Sequence, residues 1–138
     1  MNKQVIATDK APAAVGPYSQ AVRLGDLIFT AGQVGIVPGT KEFAGPDIAS
    51  QTRQVLQNIK AVLEAAGSCM DHVVKATVFL QDIKEYSQMN EVYAEFFAVD
   101  PPGRSAVQVA ALPLGARVEI EVVAEACECN APEECNCH

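Results

Sequence analysis

The chain is 138 residues long, 49% hydrophobic and 20% charged, with a formal net charge of −7. That length suits one domain with one core, and the composition is not that of a disordered or fibrous chain. The acidic balance, with no basic run, argues against nucleic acid and anionic membrane surfaces as partners, since both are held through Lys and Arg.

The first twenty residues contain no apolar stretch of signal-peptide length, and no later segment approaches a membrane span, so a cytoplasmic protein is expected. Asp26–Val34, rich in branched and aromatic residues and bounded by Gly25 and by Gly32 and Gly35, reads as a strand, with Val22–Leu24 as its hairpin partner across Gly25-Asp26. From Ile48 to Ala66 the apolar residues Ile48, Val55, Leu56, Ile59, Val62 and Leu63 recur at helical spacing, with Asp47 as N-cap and Gly67 as the stop. His72–Asp82 is a second β-branched strand. It leads into a helix over Ile83–Phe97, where Met89, Val92, Tyr93, Phe96 and Phe97 share a stripe. After the Pro101-Pro102-Gly103 turn come strands over Ser105–Ala110 and Arg117–Glu125, the latter alternating Val118, Ile120, Val122 and Ala124 with mostly polar residues. The order β-β-α-β-α-β-β predicts two helices on one face of a mixed sheet, an α+β fold. The other, half-apolar face is left to be covered by a second copy of the chain.

Arg104 stands at the joint between the proline turn and an apolar strand. An unmatched guanidinium is costly to bury, so Arg104 reaches solvent, pairs with a protein carboxylate, or waits for an anionic ligand. Glu119 and Glu121, with Glu125, read as a solvated face balanced by Arg117. Alternatively, a glutamate lying across a bound acid from Arg104 holds and deprotonates a water.

The segments "GPYSQAV", "FTAGQV", "NEVYAEFF" and "PPGRSAVQVAALPLGARVEIEVVA" and their spacings resemble the Rid family, the reactive intermediate deaminases, over about Ala7 to Ala126. The resemblance implies a chorismate-mutase-like fold over residues 1–126, assembled as a homotrimer with clefts between neighbouring subunits. It also implies hydrolysis of 2-imino and 2-enamino acids, such as 2-iminopropanoate and 2-iminobutanoate, to 2-keto acids and ammonia with no cofactor required. Position by position, it makes Arg104 the grip on the substrate carboxylate and Glu119 the residue that positions the water. Tyr18, Gly32 and Asn90 line the cleft. Ala106 replaces a cysteine common in relatives and offers only its backbone groups, while Gly103 replaces a common alanine.

Two other functions stay in view: a ribonuclease or translation inhibitor, as some family members have been described, and a non-enzymatic trimeric module that binds small carboxylates or acts as a chaperone. The histidines are only His72 and His138, both read as surface residues, whereas metal-free RNA cleavage usually uses two acid–base groups of near-neutral pKa.

Four of the five cysteines crowd into residues 127–138, beyond the resemblance, which is no secreted disulfide framework. Cys127, Cys129, Cys135 and Cys137 form two Cys-x-Cys pairs that a turn at Asn130–Glu134 brings face to face, a donor set for zinc or copper(I) with His138 as an alternative ligand. A reduced tail, or nested disulfides Cys129–Cys135 and Cys127–Cys137, are the other readings. Cys69 reads as a small half-buried residue.

Overall fold

A computed structural model describes residues 2–127. Seven strands and two helices follow the order β1 (Gln4–Ile6), β2 (Ala21–Leu24), β3 (Leu27–Thr30), β4 (Gln33–Val34), α1 (Ile48–Ala65), β5 (Val73–Leu80), α2 (Tyr86–Phe96), β6 (Gly103–Gln108) and β7 (Val118–Glu125). They make one mixed sheet in the order β1-β2-β3-β7-β5-β6, with β4 also on β7. Only β5 and β6 run parallel, and α2 lies in the crossover that a parallel pair requires. The expected α+β architecture holds.

Local chemistry explains the elements. β2 and β3 meet across a two-residue turn in which Gly25 takes φ 61°, a conformation that a residue with a Cβ adopts at a cost. At the start of α1 the Asp47 carboxylate accepts from the Ser50 N–H at 2.9 Å. At its end the Ser68 and Gly67 N–H groups donate back to the carbonyls of Leu63 and Glu64, at 2.8 and 3.3 Å, with Gly67 at φ 85°. This is the Schellman arrangement that satisfies the last carbonyls of a helix.

Both helices pack on one face, where Val78, Leu80, Val118 and Ile120 of the sheet meet Val55, Leu56, Ile59 and Leu63 of α1, all with no exposure to solvent. The other face leaves Phe29 and Val107 well exposed beside Lys75 and Glu121. No helix is long and apolar enough to cross a membrane among the described residues.

Several elements differ from expectation, among them the His72–Asp82 strand, shortened to Val73–Leu80 because His72 closes a 3-10 turn and Asp82 caps the next one. Asp26–Val34 is two strands, because its register on β7 slips by one residue between Phe29, opposite Val123, and Gln33, opposite Ile120, and in the break the Val122 N–H donates to the Thr30 hydroxyl at 3.0 Å. Ile83–Glu85 is a 3-10 turn capped by Asp82, whose carboxylate accepts from the Lys84 N–H, and α2 begins at Tyr86. β6 starts at Gly103 and ends at Gln108, because its length follows the pairing with β5. β1, held only by β2, was not expected from three residues of weak pattern.

Candidate active site

Arg104 lies on the edge strand β6, in register with the fully buried Ala76 of β5, so it shares the helix-covered face. There its Nη2 donates to the Tyr86 hydroxyl at 2.8 Å, and its guanidinium carbon stands 4.6 Å from the Tyr93 ring centre and 5.4 Å from that of Tyr86. Tyr86, Asn90 and Tyr93 follow at steps of four and three along α2, so a single helix stripe meets the guanidinium. Among the described residues no carboxylate lies within ion-pair distance of Arg104; the ion pairs there are Arg53–Glu95 and Arg117–Glu85. A guanidinium fixed by aromatic faces and unmatched by a carboxylate is placed to take a planar anion.

The surroundings of Arg104 keep hydrogen-bonding capacity in reserve. The Asn90 Oδ1 and the Tyr93 hydroxyl are buried with no hydrogen-bond partner. Oxygens of that kind cost about 1–3 kcal/mol until a ligand or water satisfies them. The Asn90 side chain, and after it the Arg104 cation, hold the Tyr86 hydroxyl below its ordinary range. Burial pushes the Tyr93 hydroxyl up, against the opposing pull of Arg104. Ala106, two residues along β6, packs against the core on the same side as Arg104 and brings no thiol.

Glu119 belongs to a different surface. It sits on β7 between Val34 of β4 and Phe79 of β5, and its neighbours Val118 and Ile120 are fully buried, so Glu119 leaves the sheet on the uncovered face. Gly32 stands directly against it: a Cβ added at Gly32 would lie 2.8 Å from the Glu119 carboxyl carbon. Burial first, and the charge of Glu121 second, push the Glu119 carboxyl above the usual carboxylate range. Tyr18 is half exposed in a depression beside β1, with Ile6, Thr8, Ala13 and Gln20.

The expected site residues therefore fall into three groups within one chain. Arg104, Asn90 and Ala106 lie on the helix side of one sheet edge, Glu119 and Gly32 on the uncovered face, and Tyr18 beside the opposite edge. β6 is four strand steps from β2, about 19 Å at about 4.8 Å per step. Within one chain Glu119 does not face Arg104 across a ligand. Sequence reasoning missed Tyr86 and Tyr93, although their spacing with Asn90 on a predicted helix was a readable signal. The metal candidates Cys129, Cys135, Cys137 and His138 lie outside the described residues; Cys127 lies within them, next to His72.

The sequence profile described as Endoribonuclease L-PSP matches residues 8–126. The chain belongs to that family. It is the Rid family that the quoted segments resemble: a 2-iminobutanoate/2-iminopropanoate deaminase of Bos taurus is 48% identical over 122 residues, covering 88% of this chain and 89% of that protein. A RutC family protein of Pyrococcus horikoshii is 52% identical over 122 residues, covering 88% of this chain and 97% of its own. The crystal structure of E. coli TdcF with bound serine superposes with a TM-score of 0.86 at 42% identity, covering 90% of this chain and 99% of that one. The match over residues 8–126 thus spans β2 to β7, both helices and all three groups of site residues.

Proposed function

We propose that this Rid protein deaminates 2-imino and 2-enamino acids, 2-iminobutanoate and 2-iminopropanoate among them, to 2-keto acids and ammonia. The observation that carries this reading is Arg104, oriented by Tyr86 and Tyr93 and unmatched by any described carboxylate. Relatives named as deaminases at 45–48% identity support an enzyme of this kind. The serine in the TdcF structure, a small acid with a free carboxylate, supports the ligand class.

The chemistry asks little of the protein. Arg104 fixes the substrate carboxylate with two parallel N–H···O bonds. Water adds to the imine carbon while Glu119 takes its proton, and the proton passes on to the nitrogen. The tetrahedral adduct then collapses, expelling ammonia and leaving the keto acid, so one imine and one water become one ketone and one ammonia. The imine is already electrophilic, and the reaction needs no cofactor.

The geometry of one chain calls for a second in this mechanism. A homotrimer, with Arg104 and Asn90 of one subunit facing Glu119, Gly32 and Tyr18 of its neighbour, brings the three groups to one cleft and covers the exposed apolar sheet face.

The test couples an amino-acid dehydratase to fresh imine and follows its decay. Acceleration by the wild type that falls tenfold or more in Arg104→Ala supports the reading; no acceleration by folded wild type overturns it. The endoribonuclease wording of the family description favours RNA cleavage as a second reading. RNA cleaved by the wild type but not by Arg104→Ala, with imine decay unaffected by either protein, would replace the first reading by the second.

A further inference from the structure

Apart from the groups around Arg104 and Glu119, the described residues hold one cluster of metal-ligating side chains. Cys69, His72 and Cys127 offer one donor atom each, and all three atoms lie within 4.8 Å of one another. The Cys127 Sγ is 3.7 Å from the His72 Nδ1. Neither cysteine pattern in the sequence announces this, because the fold joins two remote places: the α1–β5 connection carries Cys69 and His72, and the residue after Ala126 is Cys127.

Backbone bonds secure both places. The Cys127 N–H donates to the Gly67 carbonyl at 2.8 Å, and the Ala126 N–H donates to the Asp26 carbonyl at 2.7 Å. The Ser68 hydroxyl donates to the Glu125 carbonyl at 2.7 Å, and the His72 N–H to the Cys69 carbonyl at 3.1 Å. Cys69 is buried, whereas His72 and Cys127 are half-buried, so the cluster is closed on its inner side and reachable from outside.

We propose that in the reduced protein Cys69, His72 and Cys127 form a zinc site. Two thiolates and an imidazole suit zinc, a borderline-soft ion bound by sulfur and nitrogen in tetrahedral geometry. With metal–ligand bonds of about 2.3 Å to sulfur and about 2.05 Å to nitrogen, such a site sets sulfur and nitrogen about 3.6 Å apart and two sulfurs about 3.8 Å apart. The Cys127–His72 separation already matches, and side-chain rotation closing about 1 Å brings in the rest. The fourth position stays open to water or another donor. This assignment moves Cys127 from a tail-only metal site to one anchored in the folded domain.

Cys69 is disulfide-bonded in this structure, so zinc binding is coupled to reduction. A trialkylphosphine supplies the two electrons: it takes the oxygen of a water to become the phosphine oxide, and the two hydrogens of that water complete two thiols. Zinc then displaces one proton from each of the Cys69 and Cys127 thiols and accepts the neutral His72 ring. In the oxidised protein Cys69 has no thiolate to give, so disulfide and metal exclude each other.

The test uses the full chain, reduced anaerobically with a trialkylphosphine and titrated with cobalt(II), then with zinc(II) in competition. The expected result is sulfur-to-cobalt charge transfer with tetrahedral d–d bands in the reduced wild type and in the triple variant Cys129→Ser/Cys135→Ser/Cys137→Ser, and none in the oxidised protein. Cys69→Ala and His72→Ala should each weaken zinc binding by more than the about 10- to 100-fold that loss of an outer-shell partner costs. His72 is half-buried, so His72→Ala decides the matter even if Cys69→Ala fails to fold. Undiminished binding in His72→Ala, equal binding by oxidised and reduced protein, or no cobalt spectrum in the reduced wild type would each overturn the proposal.

Discussion

Gly32 and the Glu119 carboxyl are so close that no side chain fits between them, a Cβ at Gly32 reaching to 2.8 Å of the Glu119 carboxyl carbon. The break between β3 and β4 places Gly32 there, and its bare backbone is what lets Glu119 keep its position. Gly32→Ala must therefore push the Glu119 carboxyl aside. The expected outcome is a fall in kcat of tenfold or more, on the order of the cost of an ångström of misplacement, with a smaller change in KM. Steady-state imine decay by the variant, with its far-UV spectrum matching the wild type, checks this.

The same carboxyl sets the pH response. Burial, with help from Glu121, raises its pKa above the ordinary carboxylate range. A base must be ionised, so kcat is expected to fall as pH drops through that raised value, at a higher pH than an unperturbed glutamate would show. The stability effect runs the other way. A folded-state pKa above the unfolded one favours the protonated form, so stability is lost as pH rises from the unfolded value through the folded one. Glu119→Gln should abolish turnover while unfolding at an equal or higher urea concentration than wild type at pH about 7. A lower midpoint would contradict the origin given for the shift.

α1 was legible to its caps, because Asp47, the apolar repeat and Gly67 are all local signals, and Val118–Ala124 was legible from alternation that only Val123 interrupts. β1 and the break after Thr30 were not, since each depends on a partner remote in sequence: Arg23, Val22 and Ala21 for β1, and Val122 and Ile120 of β7 for the break. For the site, the motifs named Arg104, Glu119 and Gly32, but no motif tells which face of a sheet a residue leaves by. That depends on register, Arg104 opposite Ala76 and Glu119 opposite Phe79. The meeting of Cys69, His72 and Cys127 was invisible for the same reason, as 55 residues separate His72 from Cys127.

Arg104 and its tyrosines separate charge from orientation. Arg104→Ala removes the charge-assisted pair to a substrate carboxylate, about 1.5–3 kcal/mol, and should lower kcat/KM by about 10- to 150-fold. Arg104→Lys restores a charge without the planar fork and should recover only part of this. Tyr86→Phe keeps the ring but loses the 2.8 Å bond from Arg104, so a rise in KM of about fivefold is expected for one ordinary hydrogen bond. Equal KM values for Tyr86→Phe and wild type would show that the hydroxyl does not orient the guanidinium.

Because Arg104 and Glu119 leave opposite faces of the sheet, with β5 between their strands, two inactive variants should repair one another. In a cyclic trimer whose clefts each join Arg104 of one chain to Glu119 of the next, a mixed trimer of Arg104→Ala and Glu119→Ala chains contains one cleft with both residues intact. Random assembly of an equal mixture makes about three quarters of trimers mixed, so about one quarter of all clefts should be active. Co-refolding the two variants and measuring imine decay against wild type reads this fraction directly. If Arg104 and Glu119 instead served one cleft from the same chain, every cleft would carry a defect and the mixture would stay as inactive as its parts.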